Sequence, residues 1–245
     1  DFATAQLKIA DGATVNLMGL SPDENHTKDF DDAGMLFTGK GAASLDKDSA
    51  NLLITGDSTR INVAQGNHGV FNAGVTHITD GATVDVQGGL LLTGFLNTPP
   101  SEPGKTVTGA MPGALDGYTR VADGGSVMVG DKGHLFLNKG MTLDVAADGV
   151  LDNGGKVNLY ADSTLAYSAG GDHKLTGIVA NAGTLSVTDA HLDLTGAELE
   201  KFSGTAGAIA VERVQDATSN QMARADMTDA QLAGWLEKDG SVTVQ

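Results

Sequence analysis

The chain has 245 residues, 31 acidic and 15 basic, for a formal net charge of -16. That surplus repels phosphate backbones, so no nucleic-acid partner is expected, and without an apolar run of about 18 residues neither direct membrane insertion nor a retained signal peptide is expected. Cysteine is absent, glycine is abundant and aromatics make up only 4 %, which rules out disulfides, thiolate zinc clusters and thiol nucleophiles and leaves small aliphatics to build any core.

The first predicted elements are two short strands about a turn, Ile9-Ala10-Asp11-Gly12-Ala13-Thr14-Val15-Asn16-Leu17. An apolar residue closes one strand, Asp-Gly turns where positive φ is tolerated, and Thr-Val-x-Leu opens the next with period-two alternation. A polar, acidic stretch then breaks the pattern from Ser21 to Asp32 and reads as a loop. Gly56-Asp57-Ser58-Thr59-Arg60-Ile61 is a weak echo of the turn, and Ile78-Thr79-Asp80-Gly81-Ala82-Thr83-Val84-Asp85-Val86 repeats it in full.

A second loop is predicted near 97–118, where Pro99, Pro100, Pro103 and Pro112 lack the donors that a ladder needs. The phrase returns over Val121–Val129 and, as Asn-Ala-Gly, over Val179–Val187, with fainter copies at Gly140–Val145 and Asp162–Tyr167. Its hydroxyl residue falls at Thr14, Thr59, Thr83, Ser126, Thr142, Thr164 and Thr184. Most steps are roughly 20 residues, and the two longest predict one degenerate turn each. Inward positions are Val15, Leu17, Val84, Val86, Val127, Val129, Leu143, Val145, Leu185 and Val187; outward ones are Asn16, Asp85, Met128, Asp144 and Ser186.

The last fifty residues change character. Thr195-Gly196-Ala197-Glu198 before Leu199 and Phe202, and Thr228-Asp229-Ala230-Gln231 before Leu232 and Trp235, are capping-box signals for two short helices. Laid over an open ladder end they would block chain-to-chain pairing, and Trp235 supplies the area for such a cap.

Strands this short cannot bury an apolar face alone, so the next turn of chain must stack on each at about 4.8 Å. The fold expected is all-β, a right-handed parallel β-helix (β-solenoid) over 1–194, with a C-terminal capping segment over 195–245 holding two short helices and a final strand. A face-packed sandwich is the alternative, but it does not require one turn phrase to recur and favours larger inter-sheet side chains.

The recurring Ala-Asp-Gly-Ala-Thr-Val-x-Leu/Val phrase, in Gly/Asn/Thr-rich coils without cysteine, resembles the passenger regions of bacterial autotransporters over roughly Ala3 to Thr195. The resemblance implies secretion to the surface of a Gram-negative cell, outside the outer membrane, as an adhesin, an aggregation factor or a stalk. The helical tail departs from the usual passenger ending. Partners implied are host or neighbouring-cell surface molecules, protein or glycan, or a second copy in self-association.

Catalytic chemistry finds little footing. Gly56-Asp57-Ser58-Thr59-Arg60 has the look of a nucleophile turn, but Thr59 stands where an oxyanion hole needs glycine, so a coil corner is expected. A polysaccharide-cleaving lyase, hydrolase or phage depolymerase is the enzymatic alternative, needing outward acids such as Asp85, Asp144 and Asp193 to meet beside a base; Arg60 and Arg120 are the solenoid's arginines. His26, His68, His77, His134, His173 and His191 lack metal-ligand spacing and are expected on exposed strands or turns, and the acidic Asp23–Asp32 stretch is no EF-hand. No catalytic, cofactor or metal residue is assigned.

Overall fold

At Asp11-Gly12, Asp80-Gly81 and Asp123-Gly124 both residues adopt left-handed backbone, with φ between 52° and 78°. Each corner closes on a backbone hydrogen bond: Ala13 N–H to the Ala10 carbonyl at 3.1 Å, Ala82 to Thr79 at 3.1 Å, and Gly125 to Ala122 at 2.8 Å. Aspartate and glycine tolerate this conformation, so these short runs turn the chain after the strands that end at Ile9, Thr79 and Val121.

The computed structural model describes residues 6–19, 46–94, 116–212, 223–237 and 240–244, together with the backbone of 34–38. The chain winds in coils of three strands. The first four hold β1 Leu7–Ile9, β2 Thr14–Leu17 and β3 Gly34–Thr38; β4 Leu52–Thr55, β5 Arg60–Val63 and β6 His68–Ala73; β7 Val75–Thr79, β8 Thr83–Val86 and β9 Gly89–Thr93; β10 Gly117–Val121, β11 Ser126–Val129 and β12 His134–Leu137. The next three hold β13 Met141–Val145, β14 Val150–Asn153 and β15 Lys156–Leu159; β16 Thr164–Tyr167, β17 Asp172–Lys174 and β18 Gly177–Asn181; β19 Thr184–Thr188, β20 His191–Asp193 and β21 Ala197–Lys201. The last coil has β22 Ala208–Glu212 and β23 Arg224–Asp226, then α1 Asp229–Glu237 and β24 Ser241–Val244.

Every third strand stacks in parallel, which makes the molecule a parallel β-solenoid. Face one runs β1-β4-β7-β10-β13-β16-β19-β22-β24 and face three runs β3-β6-β9-β12-β15-β18-β21. Face two is split into β2-β5-β8-β11-β14 and β17-β20-β23. Nine of the ten inward positions are buried, and Val15 in the first coil is half-buried. The five outward ones are exposed or half-buried.

Stacking corrects the register read from the turn phrase. Thr14 opposes Arg60, one residue past Thr59, and Thr83 opposes Ser126 directly, their hydroxyls 3.1 Å apart. No degenerate turn lies inside the long steps, because the strands at either end of each pair directly and so belong to successive coils. The phrase also serves two corners. Its copies at Thr14, Thr83 and Ser126 open face two, whereas Thr142, Thr164 and Thr184 are stacked neighbours on face one.

The helix expected over 195–202 is instead strand β21, paired in register with β18. Ala197 and Leu199 are buried while Glu198 is exposed, a period of two that the ladder selects over the local capping signal. The stack thus continues past Leu194 through β21 and β22. The second helix, α1, forms with its capping box intact: the Thr228 N–H donates to Gln231 Oε1 at 2.9 Å and the Gln231 N–H to Thr228 Oγ1 at 3.2 Å. Gln231 Nε2 also donates to the carbonyls of Leu194 and Ala197 at 2.6 and 2.7 Å, and Trp235 is 1 % exposed. Part of the final ladder is therefore closed by a side-chain amide and an indole.

Face three is buried on both sides. Leu90, Leu135, Val157 and Val179 point into the bore, while Val70, Leu91, Phe136 and Ala180 form a second apolar cluster outside it with Phe202. The Phe202 ring meets Tyr160 edge-on at 4.8 Å. The loop predicted at 21–32, and 97–115 of the second one, lie outside the described residues. Gly117 and Tyr118, included in the second loop, belong to β10.

Candidate functional site

The break in face two is the feature that separates this solenoid from a uniform stack. Before β17 the chain passes through three consecutive left-handed residues, Ala169, Gly170 and Gly171, with φ of 59°, 81° and 99°. The corner bulges, and no ladder joins β14 to β17. Two rings occupy the coil here. Tyr167 continues the face-one column of Ile54, Ile78, Val121 and Val145, and His173 points inward from β17, its ring centroid 5.1 Å from that of Tyr167. Rings where other coils carry aliphatics add width to a rung that the flanking strands do not match.

At its far end the gap is stitched by side chains. Asn153 Nδ2 donates to the Thr176 carbonyl at 2.7 Å, and Thr176 Oγ1 donates to the Asn153 carbonyl at 2.8 Å. Between the stitch and the bulge lies a cleft of about 300 Å³, lined by Met128, Gly149, Val150, Leu151, Asp152, Tyr167, Asp172, His173, Lys174 and Thr176. Val150 stands exposed at its mouth.

Two of the lining residues hold a polar atom, Tyr167 Oη and His173 Nε2, that is enclosed without a protein hydrogen-bond partner. Each such group forfeits about 1–3 kcal/mol relative to a paired one. Burial raises the Tyr167 phenol above its ordinary range. Burial also lowers the His173 imidazole below its ordinary value, against the pull of a backbone hydrogen bond at Gly170 and of Asp172 and Asp144. A neutral imidazole whose other nitrogen bonds Gly170 leaves Nε2 as an unpartnered acceptor.

Next to the cleft, the outer surface of β17-β20-β23 is charged. His191 Nδ1 lies 3.0 Å from Asp172, its Nε2 lies 3.0 Å from Asp226, and Arg224 reaches both His191 Nε2 at 3.1 Å and Asp226 at 3.0 Å. This clasp spans three rungs, with the Asp172 side chain almost fully exposed.

The acids considered for glycan cleavage do not meet. Asp85 on face two accepts from Gln87 at 2.7 Å, and Asp144 on face one accepts from Tyr118 and from Ser168, the latter at 2.6 Å. Asp193 on β20 accepts from the Thr195 backbone and hydroxyl at 2.9 and 2.6 Å, which hold its carboxyl below the usual range. Arg60 and Arg120 stand on different faces. Ser58 is a corner residue with φ of 67°, and Thr59, fully buried, accepts from the Gly12 N–H at 3.1 Å and donates to the Thr55 carbonyl at 2.9 Å.

The histidines divide. His77, bonded to the Lys47 carbonyl at 2.8 Å, and His134, stacked on Phe136, are half-buried on outward positions; His26 lies outside the described residues. His68 and His173 correct the expectation of exposure. His68 is buried on the outer, doubly covered side of face three, and His173 faces the bore because Asp172 and Lys174 take the outward positions beside it. That alternation of charge around His173 was the signal available in the sequence.

Comparison with protein-family models, curated proteins and solved structures finds no significant match. The resemblance to autotransporter passengers therefore rests on the repeat phrase alone.

Proposed function

We propose that this chain is a secreted or surface-exposed structural and adhesive solenoid, which holds excursions of the chain away from a stiff stack for attachment to cell or matrix molecules. The supporting observation is that the strands on either side of each predicted loop keep their pairing. Across the one that leaves after Gly94, Thr76 still opposes Thr119 and Leu90 still opposes Leu135. Across the earlier ones, Leu7 opposes Leu52 and Val15 opposes Ile61. A stack indifferent to such detours is suited to presenting them, and excursions from repeat scaffolds are common carriers of function.

A polysaccharide-cleaving role has weaker support, since Asp85, Asp144 and Asp193 are each engaged locally on separate strands. The display reading is tested by replacing residues 95–115 with a short corner copied from Asn138-Lys139-Gly140. Circular dichroism and thermal melting should stay nearly unchanged while binding to cells or matrix-coated surfaces falls. Undiminished binding would remove the excursion from the adhesive role.

A further inference from the structure

We propose that the cleft between β14 and β17 receives an arginine side chain of a partner protein, its aliphatic stem laid against Val150 and Met128 and its guanidinium held by Asp152 and Asp172. This goes beyond the display role and stands separately from it, because the site lies in the wall of the solenoid and not in its excursions.

Three features carry the assignment, and the first is charge. Asp152 on β14 and Asp172 on β17 line the cleft from its two strands, and both are exposed. Asp172 gives one oxygen to His191 Nδ1 at 3.0 Å, and with its side chain 92 % exposed the other oxygen is open to a ligand. Asp152 makes no ion pair or side-chain hydrogen bond among the described residues. Lys174, the one cation in the lining, stands in register with Asp193 on β20, which offsets it. In a chain of net charge -16 this setting attracts a cation and repels an anion.

The second feature is the apolar surface beside these acids. Val150 is 47 % exposed, and Met128 is half-buried in the same lining. An alkyl stem covers such a surface while its charged head stays in water among the carboxylates. A bare inorganic cation makes no use of it. The third is size, since about 300 Å³ lies at the small end of ligand cavities and suits one side chain better than a folded segment. Arginine is favoured over lysine because its planar head has five N–H donors and serves two carboxylates at once, whereas an ammonium is a compact, strongly hydrated charge.

The bland alternative is diffuse attraction of any cation to an acidic chain. Uniformly ¹⁵N-labelled protein, titrated at constant ionic strength with blocked glycyl-arginyl-glycine, with its lysine and citrulline counterparts and with methylguanidinium, separates the two. The backbone amides of Val150, Asp152, Asp172 and Lys174 should move saturably with the arginine peptide, with a Kd on the order of 10 mM. Citrulline, the uncharged isostere, and methylguanidinium, which lacks the stem, should each bind more weakly by about threefold or more.

Asp152→Asn and Asp172→Asn should each weaken the arginine peptide about threefold. Asp152 lies outside the His191 clasp and is exposed, so its variant keeps the test informative if loss of Asp172 disturbs β17. No saturable shift up to about 100 mM peptide would overturn the proposal. So would equal binding of the lysine or citrulline peptide or of methylguanidinium, binding unaffected by Asp152→Asn, or shifts of the same affinity at the remote acidic corners Asp11, Asp80 and Asp123.

Discussion

Thr119 stands in an inward column between Thr76 and Leu143, fully buried, with its hydroxyl enclosed and unpartnered. Thr119→Val keeps the shape and deletes the unpaired oxygen, so it should stabilise the fold by about 1 kcal/mol. The expected rise is roughly 2–4 °C in Tm for a domain of this size, read by thermal melting, and an unchanged or lower Tm would mean the hydroxyl is satisfied. Tyr167 and His173, which line the cleft, have the same deficiency. Alternation alone placed Val84, Val86, Leu143 and Val145 in the bore. It could not place Thr119, because a hydroxyl at an inward position becomes visible only once the strands are stacked.

Among the elements, the Asp-Gly corners were legible because aspartate and glycine state a backbone conformation by themselves. The strand over 197–201 was not. Thr195-Gly196-Ala197-Glu198 has the chemistry of a helix start, yet β18 offers a ready edge, and pairing with it satisfies the backbone of the whole segment. α1 follows β23 at the place of the next face-three strand, over the open edge of β21, and there the local signal prevails. Its buried Trp235 is the chain's only tryptophan, so its fluorescence reports the cap alone. Trp235→Ala should cost the terminal coils about 3–5 kcal/mol. In urea, wild-type fluorescence should follow circular dichroism, whereas the variant should lose protease resistance first near β21 and β24. Unaltered resistance there would show that the indole does not hold the end.

For the molecule as a whole, the repeat announced stacking but not which faces its copies join, since one phrase turns two different corners. The cleft was hidden for the same reason: it arises between β14 and β17, from a ladder that fails to form, and no single segment encodes it. All three tyrosines, Tyr118, Tyr160 and Tyr167, have phenols raised by burial, Tyr118 also by its hydrogen bond to Asp144. The unfolded chain releases these protons near pH 10 and the folded one only above it, so stability held below about pH 10 should decline as pH rises further. Absorbance near 295 nm should show the three ionising together with loss of the ladder; early, independent titration of any one would place that ring in solvent. The in-register match of Thr76 with Thr119 has a further consequence. Segment length at the Gly94 corner is uncoupled from the geometry on either side, so foreign peptides of varied size could be grafted there for presentation, each one leaving the rungs beneath it where they were.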